Sequence, residues 1–312
     1  MNVKIDFDKV TKIYRRNRLA IKDLSTRIDA GKISAFIGEN GSGKTTSLKC
    51  LLGLCFLTGG RILVNGDKNQ SFNRSHAQSV GYLPEKVTLP YNVCIREIIM
   101  LLGQCRGIGS FDCKQRMNWL AEYFSIDLSR KLKTSQNSNG MTQKVALILA
   151  LIHEPSLIVL DEPTNALDPV AKSKLFSLLK VKKGEGKTII IATHHLDELE
   201  SFADDAFIFD RNIFIAKYGI SNMCQAEGFT HVQLLNEATA EVIDRICSAS
   251  QQIIFRSPEN VLIHSDLDLD IAAAINLISG SGLMIKSIVK PKLTLEQSYL
   301  EMIKQRAERD GL

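Results

Sequence analysis

Gly38-Glu39-Asn40-Gly41-Ser42-Gly43-Lys44-Thr45 decides the fold of this chain. The stretch satisfies G-x-x-x-x-G-K-[ST]. Lys32–Ile37 (KISAFI) before it is a short apolar run that reads as a strand, and Thr45–Leu54 after it reads as a helix. Strand, glycine loop, helix is the order a phosphate-binding loop requires. The glycines let backbone N–H groups curl around phosphate oxygens, and the helix start adds its partial positive charge. Lys44 is then placed for the β- and γ-phosphates and the Thr45 hydroxyl for Mg²⁺, with Thr46 beside it in the first helical turn. The ligands expected are ATP and Mg²⁺.

A second anchor lies far downstream in LIVLDEPT, Leu157–Thr164. Leu157–Leu160 reads as a buried strand ending in Asp161 and Glu162. Two adjacent carboxylates in such a place cost several kcal/mol if left desolvated and unpaired. A magnesium ion and a water nucleophile answer that cost, with Asp161 holding the metal through its shell and Glu162 orienting and deprotonating the water.

Outward from these anchors, Val3–Phe7, Arg27–Asp29, Arg61–Val64 and Val80–Leu83 read as strands, and Asn65-Gly66 marks a turn. From Ile95 to Phe124 the apolar spacing is helical (Ile98, Leu101, Leu102, Cys105), and Met141–His153 continues as helix. Strand and helix then alternate: Ser156–Leu160, Pro169–Lys183, Thr188–Thr193, Leu196–Ser201, then strands within Ala206–Tyr218. That alternation implies an α/β core of parallel βαβ units interrupted by a helical insert near residues 86–140. Gly219 reads as a boundary, giving domains 1–219 and 220–312. The second carries strand His231–Leu235, helix Thr239–Ala249, strands Gln252–Arg256 and Val261–His264, helix Asp268–Ser279, strand Met284–Lys290 and a last helix from Leu295. The order β-α-β-β-α-β is that of a small α+β, ferredoxin-like module.

Two motifs alone would admit many phosphate-loop enzymes; the remaining ones narrow the field. They are Tyr14 in TKIYRRN, Gly81–Val87 (GYLPEKV), Asn137-Ser138-Asn139-Gly140-Met141 before a helix, Asn165-Ala166-Leu167-Asp168, and His194 after the strand IIIAT. With them the chain resembles the ABC ATPase family, in family order from Tyr14 to His194, with likeness reaching about Tyr218. The resemblance implies that Tyr14 stacks on adenine and that Glu85, where the family usually has Gln, contacts the metal shell or attacking water. It implies that NSNGM stands for the LSGGQ signature, keeping Ser138 and Gly140, in the S-x-G-M form of exporter ATPases. Ser138 also suits a helix N-cap. By the same resemblance Asp168 would belong to the turn that meets the opposite subunit, and His194, not His195, would be the switch histidine at the γ-phosphate. The close Thr294–Met302 (TLEQSYLEM) is similar to the LE-x-x-(F/Y)-L ending of ABC-2-type exporter ATPases. That branch includes bacteriocin or antibiotic export, ion efflux and nitrous-oxide-reductase maturation.

The resemblance also implies partners. Two nucleotide-binding domains, two copies of this chain or this chain with a related subunit, sandwich ATP head to tail, and an integral membrane permease couples to the helical insert. A soluble non-transport ABC ATPase and a weakly hydrolysing regulatory subunit are the alternatives. Composition agrees with such a subunit. Formal charge is +5 over 312 residues with no basic block, which does not point to nucleic acid. Arg15, Arg16 and Arg18 read as a solvated turn. Seven scattered cysteines without CxxC spacing read as free thiols. The opening MNVKIDFDKV lacks the apolar core of a signal peptide, and VALILALIHEPSLIVL is broken by His153, Glu154 and Pro155. The expected place is the cytoplasm, on the inner face of the cell membrane through the permease.

Overall fold

The computed structural model describes residues 3–66, 79–128, 133–223, 229–250, 253–264, 268–289 and 294–309. Cys224, Gln252, Lys290 and residues 129–132 of the insert, all assigned from sequence above, lie outside the described residues. The chain divides into two compact units, Met1–Ile220 and Ser221–Leu312.

The first unit contains β1 (Ile5–Tyr14), β2 (Arg18–Ile28), β3 (Ile33–Ile37), α1 (Lys44–Leu51), β4 (Gly59–Val64), β5 (Val80–Leu83), α2 (Ile95–Cys105) and α3 (Ser110–Tyr123). It continues with α4 (Asn139–Leu151), β6 (Leu157–Asp161), α5 (Pro169–Gly184), β7 (Thr188–Thr193), β8 (Asp205–Asp210) and β9 (Ile213–Gly219). The strands form one sheet in the order β4-β1-β2-β9-β8-β3-β7-β6-β5. ISAFI, LIVLD and TIIIAT are near-continuous apolar runs because β3, β6 and β7 are buried along their whole length, as central parallel strands must be. Ile37 of β3 pairs with Thr193 of β7, and Asp161 of β6 pairs with Ala192 of β7. The carboxyl ends of three adjacent parallel strands therefore finish together, the usual place for a ligand in such a sheet.

β5 is the edge strand beside β6, and α4 packs closely over it. A Cβ on Gly81 would sit 2.1 Å from the Ala150 carbonyl oxygen and 2.8 Å from Pro155 Cγ. The first of these is helix backbone and cannot swing aside. Gly81→Ala is expected to destabilise this unit by ~1–3 kcal/mol or more, read as a lower midpoint in denaturant unfolding; an unchanged midpoint would contradict this packing.

Two local expectations need correction, and the helical stretch Ile95–Phe124 is refined. The strands expected at Val3–Phe7 and Arg27–Asp29 are parts of one long hairpin, β1–β2, reaching Tyr14 and Arg18. Its register shifts between Phe7 and Val10 and again before Ile13, and Lys9 and Asp23 have φ of 48°. Such bulges destroy the period-two pattern that marks a strand. Ile95–Phe124 is two helices, α2 and α3, parted at Gly107–Gly109. Leu196–Ser201 is a run of turns, with Leu199 N–H on Leu196 O and Phe202 N–H on Leu199 O. Leu196, Leu199 and Phe202 are buried, and their three-residue spacing suits i→i+3 turns as well as a helix.

α6 (Ile220–Met223) spans the junction of the two units. The second unit then runs β10 (Phe229–Leu234), α7 (Ala240–Ala249), β11 (Ile253–Ser257), β12 (Asn260–His264), α8 (Asp268–Gly280), β13 (Ile285–Val289) and α9 (Leu295–Arg309). Its sheet is antiparallel in the order β11-β12-β10-β13, a ferredoxin-like arrangement. Val232, Leu234, Ile246, Ile253, Val261, Ile263 and Ile278 form its own core.

Candidate active site

The loop from β3 to α1 is closed against the β1–β2 hairpin. Gly43 has φ of 108°, and a Cβ there would lie 2.6 Å from the Ala20 carbonyl oxygen of β2; only glycine meets both demands. Lys44 opens α1 and is 5% exposed. Its Nζ donates to the carbonyl oxygens of Gly38 at 2.5 Å and Glu39 at 3.0 Å. Burial pushes the Lys44 ammonium below the usual lysine range, while the nearby carboxylates of Glu162, Asp161, Glu85 and Glu39 oppose that shift. Ser42, also in the loop, is buried, and its hydroxyl has no partner among the described residues.

Asp161 ends β6 with no exposed surface. One carboxylate oxygen accepts from the Thr45 hydroxyl at 3.1 Å; the other, Oδ2, is buried and has no partner among the described residues. Burial pushes this carboxyl up to about 6, Glu85 and Glu162 add to the rise, and Thr45 and Lys44 resist it. An open carboxylate oxygen beside a threonine hydroxyl is the donor set that a hard divalent cation takes, so the residues present fit Mg²⁺.

Glu162 follows in the left-handed region, φ 49°, with its N–H on the Ala192 carbonyl at 2.8 Å. A non-glycine residue held there costs ~1–3 kcal/mol and persists where the surroundings fix it. The surroundings are explicit. Glu162 Oε2 accepts from the Thr193 hydroxyl at 3.3 Å, and Oε1 lies 2.8 Å from His194 Nδ1. The His195 ring lies tilted against His194 with ring centroids 4.0 Å apart, and the ligand atoms of Glu162, His194 and His195 lie within 4.8 Å of one another.

Lys44, Thr45 and Glu162 face a cleft of about 950 Å³ lined by the loop from Asn40 to Thr46, by Glu85 and Glu162, and by the hairpin tip. Tyr14 is half-exposed on its wall, its hydroxyl 3.5 Å from the Thr46 hydroxyl. Arg15, Arg16 and Arg18 line it too. They form the exposed turn expected from sequence, and that turn is also a wall of the cleft. The one available signal was their position directly after Tyr14.

A family model described as ABC transporter matches residues 21–165. Nod factor export ATP-binding protein I of Burkholderia lata is 32% identical over 240 residues, 77% of this chain and 75% of that protein. The chain belongs to the ABC transporter family. It is an ATP-binding and ATP-hydrolysing subunit of such a transporter. The same protein from Rhizobium sp. is 28% identical over 252 residues, 81% of this chain and 79% of its own. Among solved structures, an ATP-binding subunit of an ABC transporter superposes with a TM-score of 0.63 at 27% identity, covering 70% of this chain and 91% of that one. An ATP-binding cassette dimer bound to ADP and Pi shares the fold, with a TM-score of 0.63 at 22% identity, covering 69% and 98% of the two chains. Among the described residues no helix is long and apolar enough to cross a membrane.

The segment resembling the ABC signature stands apart from the cleft's lining residues within one chain. Ser138 caps α4, accepting from the Met141 N–H at 3.2 Å. Gly140 lies against the turn after β6, where a Cβ would come within 2.8 Å of the Ala166 carbonyl oxygen. Asp168 caps α5 through the Ala171 N–H at 2.8 Å and pairs with Lys144 of α4 at 3.0 Å. Both contacts hold its carboxyl below the usual range, the backbone bond foremost. The two family segments are thus tied to each other, and the cleft is built from other residues.

Proposed function

We propose that this chain drives an exporter by binding ATP in the cleft beside Lys44, hydrolysing it with Glu162, and closing on a second ATP-binding subunit. The observation that carries the reading is the pairing of an open, fully buried Asp161 oxygen with a Glu162 carboxylate held at two points. Lys44, already a donor to two loop carbonyls, turns to the β- and γ-phosphates, and the Ser42 hydroxyl has a proton to donate to a phosphate oxygen. Thr45 and Asp161, with Glu85 near them, would hold magnesium, which would supply countercharge to the phosphates. Glu162 accepts the proton of the attacking water, and His194 positions Glu162 and reads the γ-phosphate. Tyr14 stacks on the base.

Ser138 and Gly140 serve the second subunit's nucleotide, with Asp168 and its turn at the junction, which accounts for their distance from this chain's own cleft. The outward direction rests on the relatives, whose names carry export, and on the S-x-G-M signature and TLEQSYLEM ending. The permease docks against the helical insert and places the chain on the cytoplasmic face of the membrane. The ferredoxin-like unit regulates or stabilises the pair and takes no part in the ATP site.

Purification under mild detergent from cells that also make the permease tests this reading. An integral membrane protein is expected to co-purify, and the complex to release phosphate from ATP. Chelating divalent cations is expected to abolish release and added Mg²⁺ to restore it. A chain recovered alone, or phosphate release insensitive to chelation, would contradict the reading.

A further inference from the structure

We propose that Arg15, Arg16 and Arg18 form an anion-binding wall that holds the nucleotide's phosphates from the hairpin side of the cleft. This rests on the cleft being the ATP site. Three observations carry it. The first is place: all three arginines line the same cleft as Lys44, Thr45 and Thr46. The Ala20 carbonyl abuts Gly43, and Arg18 stands two residues earlier on the same strand, about 7 Å away along it. A guanidinium on its long stem spans that interval.

The second is lack of partners. Of the surface cations on the same sheet, Arg27 pairs with Asp6, Arg61 with Asp8, and Lys217 with Asp29. Among the described residues the guanidinium groups of Arg15, Arg16 and Arg18 have no ion-pair or hydrogen-bond partner. Three unpaired guanidinium groups at one tip repel one another, and an anion between them relieves that. The third is the turn itself. Arg16 and Asn17 both have positive φ, 63° and 54°, a backbone in which asparagine is common and arginine is not.

Guanidinium is the cation whose fork of donors matches phosphate oxygens bidentately. Tyr14, one residue before the cluster, lies within 3.5 Å of Thr46, so the guanidinium groups stand where the sugar and first phosphates of a base-stacked nucleotide pass. Binding should therefore depend on nucleotide charge and on salt, beyond what the glycine loop imposes.

Calorimetric titration of the full chain with ATP and Mg²⁺, at low and high ionic strength, tests this with Arg15, Arg16 and Arg18 replaced together by Gln. At low ionic strength the variant is expected to bind ATP roughly tenfold or more weakly than wild type. The gap should narrow at high ionic strength and be smaller for AMP than for ATP. In the assembled transporter the loss should fall on KM and not on kcat. The triple Lys variant, which keeps the charge, should recover most of the affinity. It also guards against misfolding of the Gln variant, as does Arg18→Gln alone. Wild-type binding that the Gln variant matches at both ionic strengths would overturn the arginine wall and leave the ATP site standing. Wild type that takes no ATP would overturn the ATP site itself.

Discussion

Replacing Glu162 by Gln is expected to leave ATP binding intact and to cut turnover by ~10²–10⁴-fold, the usual worth of a general base. The geometry makes the substitution unusually clean. Glu162 is 5% exposed and anchored by Thr193 and His194, and Gln has the same shape and can still accept from the Thr193 hydroxyl. What it lacks is basicity toward water. The phosphate cradle depends on Lys44 and the backbone N–H groups of the loop, and neither Lys44 nor the Thr45–Asp161 pair hydrogen-bonds to the Glu162 side chain. Phosphate release by the assembled complex, measured beside nucleotide affinity, separates the two effects. Near-normal release by the variant would remove Glu162 from its role. If the role holds, ATP is bound and never consumed, so the variant should also accumulate with its partner subunit in the closed, ATP-bound pair.

Much of this was legible in the sequence because the chemistry demands contiguity. A loop that wraps phosphate with its own backbone must be a short run of glycines next to a lysine, and buried parallel strands must be apolar without interruption. KISAFI, LIVLD and TIIIAT therefore announced both their burial and their ends, and those ends carry the site. Only the open end of the hairpin was legible, at Val3–Phe7 and Arg27–Asp29, because bulges at Lys9 and Asp23 hide the rest of both strands from any period-two test. The arginines went with it. As a charged run after a short strand they had no feature separating them from a solvated turn, and only the pairing of Tyr14 with Arg18 brings them to the cleft. Leu196–Ser201 failed for another reason, since apolar residues three apart satisfy turns and helices alike. Ser138 carried two readings, a helix cap and a signature residue by resemblance, and the structure shows the cap.

Lys44→Ala carries the other large expected effect. Lys44 is nearly buried, donates to two loop carbonyls, and stands among four carboxylates. In the proposed bound state it meets the β- and γ-phosphates, and each charged hydrogen bond there is worth about 1.5–3 kcal/mol. Losing that cation leaves the phosphates facing Asp161, Glu162 and Glu85 with less countercharge. ATP affinity should fall on the order of 10²-fold, while the fold persists because the sheet beneath the loop is untouched. Calorimetric titration of the purified chain with ATP and Mg²⁺, wild type beside Lys44→Ala, with thermal unfolding of both as the control, tests the central claim most directly. The account predicts saturable one-site binding by wild type and its near-disappearance in the variant at a similar unfolding midpoint. Equal binding by both proteins, or none by a folded wild type, would contradict it.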